Sequence, residues 1–209
     1  MRILIADDHP IVRQGLKQAI ADSSDMVVAG EACDGQEVLE QVRKNDYDVV
    51  LLDISMPGGN GLDILKQLKS QKPELAILVL SMHPEEQYAV RVLKAGASGY
   101  ITKARAPEEL ISAIRTVAFG RKYVSSSLAQ KLASKLGTVV ERLPHEILSD
   151  REYSVLRLIA AGRTKRGIAE EVSLSPKTVS TYRSRVLTKL GLKTDAELVR
   201  YAIENQLLG

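Results

Sequence analysis

The sequence predicts an α/β domain, a doubly wound five-stranded parallel sheet, followed by a smaller all-α domain of four helices. In the first 120 residues, five short apolar runs alternate with amphipathic segments of helix length. Strands that are apolar on both faces are typical of a parallel sheet covered by helices on each side. From Ser149 onward only helical patterns occur, and a length of 209 residues fits two compact units.

The strands and helices of the first domain follow in order along the chain. The apolar runs predict strands at residues 3–6, 26–29, 49–52, 77–80 and 99–102, and residues 56–59 as a turn. Proline is favoured in the first turn of a helix because its fixed φ suits the helix and its missing N–H is not needed there. Pro10, Pro84 and Pro107 therefore mark helix starts, and Asp34 is placed to cap a fourth helix.

The second half of the chain begins with an irregular segment. Between residues 121 and 146 the pattern loosens, and it allows one short helix through Leu128, Leu132 and Leu136. We therefore predict domains at 1–120 and 147–209, joined by a linker at 121–146.

Four helices are predicted in the second domain. Their starts are expected at Ser149, Thr164, Ser175 and Asp195. A tight turn at residues 172–175 separates the second of these helices from the third, which is rich in polar and basic residues. This arrangement is a helix-turn-helix pattern.

The charge is distributed unevenly between the two halves. Residues 1–120 carry 13 Lys and Arg against 17 Asp and Glu, whereas the remainder carries 16 against 9, so the net charges are −4 and +7. A basic domain indicates a polyanionic partner such as nucleic acid, although a solvated basic surface gives the same count. Cys33 is the only cysteine, which excludes an internal disulfide and fits a cytoplasmic protein. Neither a secretory signal nor a membrane span is predicted.

Polar residues end the predicted strands and should meet at one edge of the sheet. Asp7 and Asp8 follow the first strand, Asp53 the third, Ser81 the fourth and Lys103 the fifth. Each residue alone is commonly a cap or a turn residue, but packing does not require the whole set. Adjacent carboxylates suit Mg²⁺, and a metal with a lysine would neutralise an incoming phosphoryl group. We expect Asp53 as the nucleophile, Asp8 as a metal ligand and Asp7 as a ligand through water.

The motifs ILIADDHP, VVLLDISMPG, ILVLS and GYITK occur in the order found in receiver domains of two-component response regulators, and residues 1 to about 120 resemble such a domain. The resemblance implies a flavodoxin-like fold, Asp53 as the phosphoacceptor and Asp7 and Asp8 as the acidic pocket. It also implies metal coordination by the backbone carbonyl of Ser55, with Ser81 as the switch hydroxyl, Lys103 as the phosphoryl-contacting lysine and Tyr100 as the switch aromatic. Ala104 departs from the family, which often has proline after the lysine.

The motifs LSDREYSVLRLIAAG, IAEEVSLSPKTVSTYRSRVLTKLGL and AELVRYAI resemble the LuxR-type helix-turn-helix, and both halves together resemble the NarL/FixJ subfamily. This resemblance implies control of transcription by binding to double-stranded DNA, with a sensor histidine kinase as phosphoryl donor. Because a single helix-turn-helix buries little surface and reads few bases, we also predict a homodimer promoted by phosphorylation, and RNA polymerase is considered as a further partner. Tyr182 stands where many relatives have histidine, and Gly167 weakens its helix by about 1 kcal/mol relative to alanine.

The helix after Ser175 is the predicted recognition helix. Its apolar side chains Val179, Tyr182, Val186 and Leu190 share one face and should pack inward. The resemblance places other side chains on DNA: Ser180, Thr181 and Ser184 at base edges, and Lys177, Thr178, Arg183, Arg185 and Lys189 at bases or phosphates.

Two other functions are less consistent with the sequence. A phosphatase of the haloacid dehalogenase type needs a second carboxylate two residues after the nucleophile, and Ser55 occupies that position, so we expect no turnover enzyme. An adaptor whose helical tail binds protein is less consistent with the +7 charge and the Ser, Thr and Arg face. The sequence leaves open whether the linker releases the DNA-binding domain or repositions it.

Overall fold

The computed structural model describes residues 1–56, 61–82, 85–130, 144–172, 174–205 and 207–208, without the side chains of residues 86, 87, 146 and 150. The described residues belong to two compact units, one within residues 1–134 and one within residues 135–209. The predicted helix start at Pro84, most of the turn at 56–59 and the apolar positions Leu132 and Leu136 lie outside the described residues.

The first unit contains the predicted five-stranded parallel sheet, with strand order β2-β1-β3-β4-β5. Its strands are β1 (Arg2–Ala6), β2 (Val27–Ala32), β3 (Val49–Asp53), β4 (Ala76–Ser81) and β5 (Gly99–Thr102). The prediction ended the second strand at residue 29, whereas pairing with β1 continues through Glu31 and Ala32. The polar Glu31 hid this extension, because a strand at the edge of a sheet tolerates polar side chains.

Five helices cover the two faces of this sheet: α1 (Pro10–Ala21), α2 (Gly35–Lys44), α3 (Gly61–Gln71), α4 (Glu85–Lys94) and α5 (Ala106–Ala118). Pro10 and Pro107 stand in first turns, as predicted. Asp34 caps α2, because its side chain accepts hydrogen bonds from the N–H groups of Gln36 and Glu37. Local capping therefore fixes where the chain leaves the strands.

The core of the first unit lies around β3 and β4, all of whose residues are buried. Side chains of the sheet, among them Ile5, Leu51 and Leu78, pack with Leu110 and Ile114 of α5 in one hydrophobic cluster. Burial of this apolar surface stabilises the sheet and fixes the positions of the strand ends.

The second unit is helical. A 3₁₀ helix (Pro144–Ile147) precedes four α-helices: α6 (Asp150–Ala160), α7 (Lys165–Glu171), α8 (Pro176–Leu190) and α9 (Asp195–Glu204). The side chains of Ser149, Thr164, Ser175 and Thr194 cap them. Residues of α6, α7 and α8 share a small core, in which Val155, Ile168 and Val179 are buried. The predicted helix-turn-helix is therefore formed by α7 and α8. Among the described residues, no helix has the length and apolarity needed to cross a membrane.

Residues 121–130 lie within the first unit, although the prediction assigned them to the linker. Tyr123 forms a parallel bridge with Gly99 at the edge of β5, and residues 126–130 are helical. The bounds of the linker and of the two domains stay a prediction.

Candidate functional site

The polar strand ends meet at the carboxyl edge of the sheet, as the sequence predicts. Asp7, Asp53 and Ser81 are buried, with 0%, 1% and 0% of their surface exposed. Asp7, Asp8, His9 and Asp53 each offer a ligand atom, and these atoms lie within 4.8 Å of one another. The predicted carboxylates therefore form a single cluster.

Lys103 connects two of these carboxylates. Its Nζ lies 2.7 Å from Asp53 Oδ2 and 2.6 Å from Asp7 Oδ2, and its side chain is 10% exposed. The N–H of Lys103 donates a hydrogen bond to the carbonyl of Ser81, 2.8 Å away, which ties the exit of β5 to the end of β4. The lysine is thus held in place by backbone as well as by charge.

Asp53 is a buried carboxyl with two partners. The N–H of Ser55 donates to Asp53 Oδ1 at 2.8 Å, and Lys103 contacts the other oxygen. Burial raises the pKa of Asp53 above its ordinary value, against the lowering effect of Lys103. Burial alone would lower the pKa of Lys103, but its contacts with Asp53 and Asp7 hold that pKa above its ordinary value. Ionised Asp53 is therefore the form that a nearby cation stabilises.

Two buried carboxylate oxygens in the cluster fit a divalent cation. Asp7 Oδ2 lies 2.6 Å from Lys103 Nζ, Asp8 Oδ1 lies 2.9 Å from His9 Nδ1, and both oxygens are shielded from solvent. Oxygen donors of this kind are the ligands that Mg²⁺ prefers. Sequence reasoning did not select His9, whose Nδ1 lies 2.9 Å from Asp8 Oδ1, because a lone histidine after two aspartates carries no distinctive pattern.

The predicted switch residues lie on adjacent strands. Ser81 is the last residue of β4. Tyr100 of β5 pairs with Val79, which lies two residues before Ser81. Tyr100 is 1% exposed, so its ring is inside the protein. The two residues of the predicted switch therefore lie on adjacent strands, with Tyr100 two positions before Thr102, the residue that pairs with Ser81.

The predicted recognition helix, α8, presents part of its polar face to solvent. Val179 and Val186 are buried, as predicted, Tyr182 packs at the edge of the small core, and Leu187 is buried without having been selected. The predicted polar residues that are exposed on this helix are Lys177, Thr181, Ser184, Arg185, Thr188 and Lys189. Thr178 and Ser180 are half-buried.

Two predicted DNA-contacting residues have partners inside the second unit. Arg183 Nε lies 2.7 Å from Asp195 Oδ1 of α9, and Lys189 Nζ lies 2.6 Å from Glu152 Oε2 of α6. Glu152 is 3% exposed and also accepts the N–H of Ser149 in the capping box of α6. These contacts fix α8 against its neighbours, a role that the sequence did not indicate.

A doubly wound sheet with an acidic pocket and a buried lysine, on one chain with a helix-turn-helix unit, defines a phosphorylation-controlled DNA-binding protein. The family of response regulator receiver domains matches residues 3–115, and the luxR family of bacterial regulatory proteins matches residues 146–202. The chain belongs to the response regulators with a LuxR-type DNA-binding domain, and its resemblance to the NarL/FixJ subfamily is confirmed.

Full-length relatives and solved structures agree with this assignment. The chain is 38% identical over 208 residues to the response regulator UvrY of Escherichia coli, covering 99% of this chain and 95% of the relative. It is 41% identical over 215 residues to the oxygen regulatory protein NreC of Staphylococcus aureus, covering 100% and 99%. RcsB from Salmonella enterica serovar Typhimurium, bound to promoter rprA in the presence of the phosphomimetic BeF₃⁻, matches with a TM-score of 0.71 and 32% identity, covering 96% and 97%.

Proposed function

We propose that Asp53 accepts a phosphoryl group from a phosphohistidine of a sensor histidine kinase, and that this controls binding of α8 to double-stranded DNA. The observation that carries the proposal is the contact of Lys103 with Asp53, in a buried cluster at the carboxyl edge of the sheet. A carboxylate oxygen of Asp53 forms the new P–O bond while the P–N bond to the histidine breaks and the electron pair stays on the imidazole. Lys103 and Asp53 are within reach of the same phosphoryl group.

Mg²⁺ is the proposed cofactor of this site. Asp8, Asp53 and the backbone carbonyl of Ser55 would hold it directly, and Asp7 would hold it through water. The convergence of ligand atoms from Asp7, Asp8 and Asp53 within 4.8 Å of one another supports this assignment. When bound, the ion supplies positive charge that offsets the charge of the carboxylates and of the phosphoryl oxygens.

Transfer to Asp53 should end in a stable phosphoprotein instead of rapid turnover. Ser55 stands two residues after Asp53, where a phosphatase of this chemistry needs a carboxyl group as general acid. Ser55 instead donates its backbone N–H to Asp53. We therefore propose slow self-dephosphorylation as the only hydrolytic activity of the site.

The proposed DNA contacts divide into two groups by their exposure. Lys177, Thr181, Ser184 and Arg185 lie on the open face of α8, and Thr178 and Ser180 lie at its border. Arg183 and Lys189 form ion pairs with Asp195 and Glu152, so they would have to share or exchange these partners to contact DNA. Solved complexes of RcsB with DNA, at 31–32% identity, support duplex DNA as the partner.

A phosphorylation-promoted homodimer on two half-sites completes the proposal. A single helix-turn-helix reads few bases, so specific binding commonly uses two copies spaced by about one helical turn of DNA, or roughly 34–36 Å. Two RcsB dimers bound to two parallel DNAs have been solved, which supports dimers in this family. RNA polymerase is a further proposed partner, and the cytoplasm is the proposed location.

Mass spectrometry after incubation with acetyl phosphate and Mg²⁺ tests the phosphoacceptor. We expect one added phosphoryl group on the wild type and on Asp22→Asn, an exposed matched control, and none on Asp53→Asn. Full labelling of Asp53→Asn, or of the wild type in excess chelator, would overturn the assignment.

Duplex binding at increasing salt tests the second unit against the alternative of a protein-binding tail. Each phosphate neutralised by the protein contributes about −0.9 to the slope of log affinity against log salt. We expect a steep negative slope for the full chain. An absence of duplex binding at low salt would favour the adaptor instead.

A further inference from the structure

The segment that follows α5 lies across the edge of β5 and contacts the helices on both sides of it. We define residues 122–128 as the strap. Tyr123 donates its N–H to the carbonyl of Ser98 at 2.9 Å and accepts the N–H of Tyr100 at 3.3 Å. The strap thus adds one residue pair to the sheet beyond β5, at an edge that would otherwise be open to a second copy of the chain.

Side chains fix the Tyr123 end of the strap. The Tyr123 hydroxyl donates to Glu109 Oε2 of α5 at 2.8 Å, and Lys122 Nζ donates to the carbonyl of Ala97 at 2.6 Å. The approach to β5 is close, because a Cβ at Gly99 would lie 2.9 Å from both the Cβ and the carbonyl oxygen of Tyr123. Glycine at position 99 therefore provides the space in which the strap lies.

The other end of the strap is fixed to the first residue of α4. Ser125 donates its N–H to Glu85 Oε1 at 3.1 Å and its hydroxyl to Glu85 Oε2. Both residues are buried, with 7% and 9% of their surface exposed. The Ser125 hydroxyl also accepts the N–H of Leu128 at 3.1 Å, so the same side chain begins the helical residues that follow.

The position of Glu85 connects the strap to the phosphoacceptor site. Only three residues separate Ser81, the last residue of β4, from Glu85, the first residue of α4. The carbonyl of Ser81 accepts a hydrogen bond from the backbone N–H of Lys103, whose side chain contacts Asp53. A displacement of Ser81 toward a phosphoryl group on Asp53 would therefore also act on the start of α4.

We propose that the pair Glu85–Ser125 is a latch that holds the strap while Asp53 is unphosphorylated, and that phosphorylation opens it. Opening the latch frees the chain that leads to the DNA-binding unit, so Glu85 and Ser125 are positioning residues for the switch. The proposal rests on the proposed function, because it requires a phosphoryl group on Asp53. A hydrogen bond to a buried carboxylate is strong enough to hold a segment and weak enough to be exchanged.

Hydrogen exchange of the full chain, measured by mass spectrometry on peptides from residues 121–130, tests the latch. Beryllofluoride with Mg²⁺ serves as the phosphoryl mimic. We expect the strap amides of the wild type to exchange about tenfold faster with the mimic, the order expected when a charge-assisted hydrogen bond is lost. Asp53→Asn should keep slow exchange and show no response.

Latch variants separate this role from a general loss of structure. Glu85→Gln and Ser125→Ala should exchange fast in the strap without the mimic and respond little to it, while peptides from β3 and β4 stay protected. Ser125→Thr keeps the hydroxyl and should restore the response. The exposed controls Glu108→Gln and Ser126→Ala should behave as the wild type.

The outcomes distinguish the latch from the function on which it rests. If acetyl phosphate labels Asp53 but the strap exchanges at one rate with and without the mimic, the latch is wrong and the phosphoacceptor stands. Latch variants with wild-type exchange in the strap would also overturn it. Absence of labelling at Asp53 would overturn both proposals.

Discussion

Lys103 and Asp53 form a buried ion pair, with 2.7 Å between Nζ and Oδ2, across strands that are separated by β4 in the sheet. The same ammonium group contacts Asp7 at 2.6 Å. One lysine thus balances two carboxylates that would otherwise repel each other in a poorly solvated pocket. The excess negative charge of the acidic pocket therefore lowers the stability of the first unit.

Asp53→Asn should stabilise the first unit at pH 7 in the absence of Mg²⁺. The pKa of Asp53 is raised in the folded state. The stability that this group contributes is therefore fully present below its unfolded pKa and is lost as the pH rises through its folded pKa. At neutral pH the ionised carboxylate is destabilising, and we expect the substitution to raise the free energy of unfolding. Urea denaturation measures this change in the free energy of unfolding, with Asp22→Asn as control. A destabilised Asp53→Asn protein would contradict this reading of the pocket.

Mg²⁺ should raise the melting temperature of the wild type more than that of Asp53→Asn, because the ion offsets the charge of the same carboxylates. Thermal melts of both proteins at several Mg²⁺ concentrations measure the difference in melting temperature. Melts in Ca²⁺-free buffer with chelator serve as the baseline. Equal shifts in both proteins would exclude Asp53 from the cation site.

Lys103→Met should slow labelling of Asp53 by acetyl phosphate by about 100-fold, the order seen when one preorganised charge is removed from a reacting site. Asp53 would then lose the cation that opposes the effect of burial on its pKa. Single-turnover labelling followed by mass spectrometry gives the rate. Lys94→Met changes an exposed lysine of α4 and should label at the wild-type rate, and an equal loss in both variants would argue against a specific role.

Exposed residues of α8 should affect DNA binding in two different ways. Lys177→Ala and Arg185→Ala should weaken binding to all duplexes and reduce the magnitude of the salt slope by about one unit each. Thr181→Ala and Ser184→Ala should instead change which sequences are preferred. Selection from a random duplex library, followed by salt titration, separates these effects. Wild-type affinity, slope and preference in all four variants would show that another surface binds DNA.

Glu152→Gln should weaken the second unit and change its acid sensitivity. Burial would raise the pKa of Glu152, but Lys189 and Ser149 hold it below its ordinary value. A lowered pKa contributes stability above the unfolded value of about 4.5, and this stability is lost as the pH falls through the folded pKa. We expect a loss of about 1 kcal/mol at pH 7 and a flatter pH profile below pH 5. Hydrogen exchange in α6 and α8 as a function of pH measures this loss of stability, with the exposed Glu204→Gln as control.

Phosphorylation should promote dimerisation through the switch residues. Sedimentation of the full chain with beryllofluoride and Mg²⁺ should show a dimer at concentrations where the untreated chain is a monomer. Ser81→Ala removes the hydroxyl that would approach the phosphoryl group, so it should reduce the response. An oligomeric state indifferent to both changes would remove the switch from the account.

The sequence was sufficient for the fold and for the pocket because both depend on local signals. Buried strands read as apolar runs, and a polar residue such as Asp53 at the end of a run can only lie at the carboxyl edge of the sheet. Partners distant in the sequence were not predictable in the same way. Lys189 meets Glu152 across 37 positions, and Ser125 meets Glu85 across 40 positions. Nothing in the local pattern of either residue indicates its partner.

Control of DNA binding by phosphorylation of Asp53 is tested by the affinity of the full chain for a duplex selected from a random library, measured before and after treatment with acetyl phosphate and Mg²⁺. We expect treatment to tighten binding of the wild type by about tenfold, within the usual range of coupling between two sites. Asp53→Asn should keep its untreated affinity. A wild type whose affinity does not change although Asp53 is labelled, or an Asp53→Asn protein that responds equally, would contradict the account.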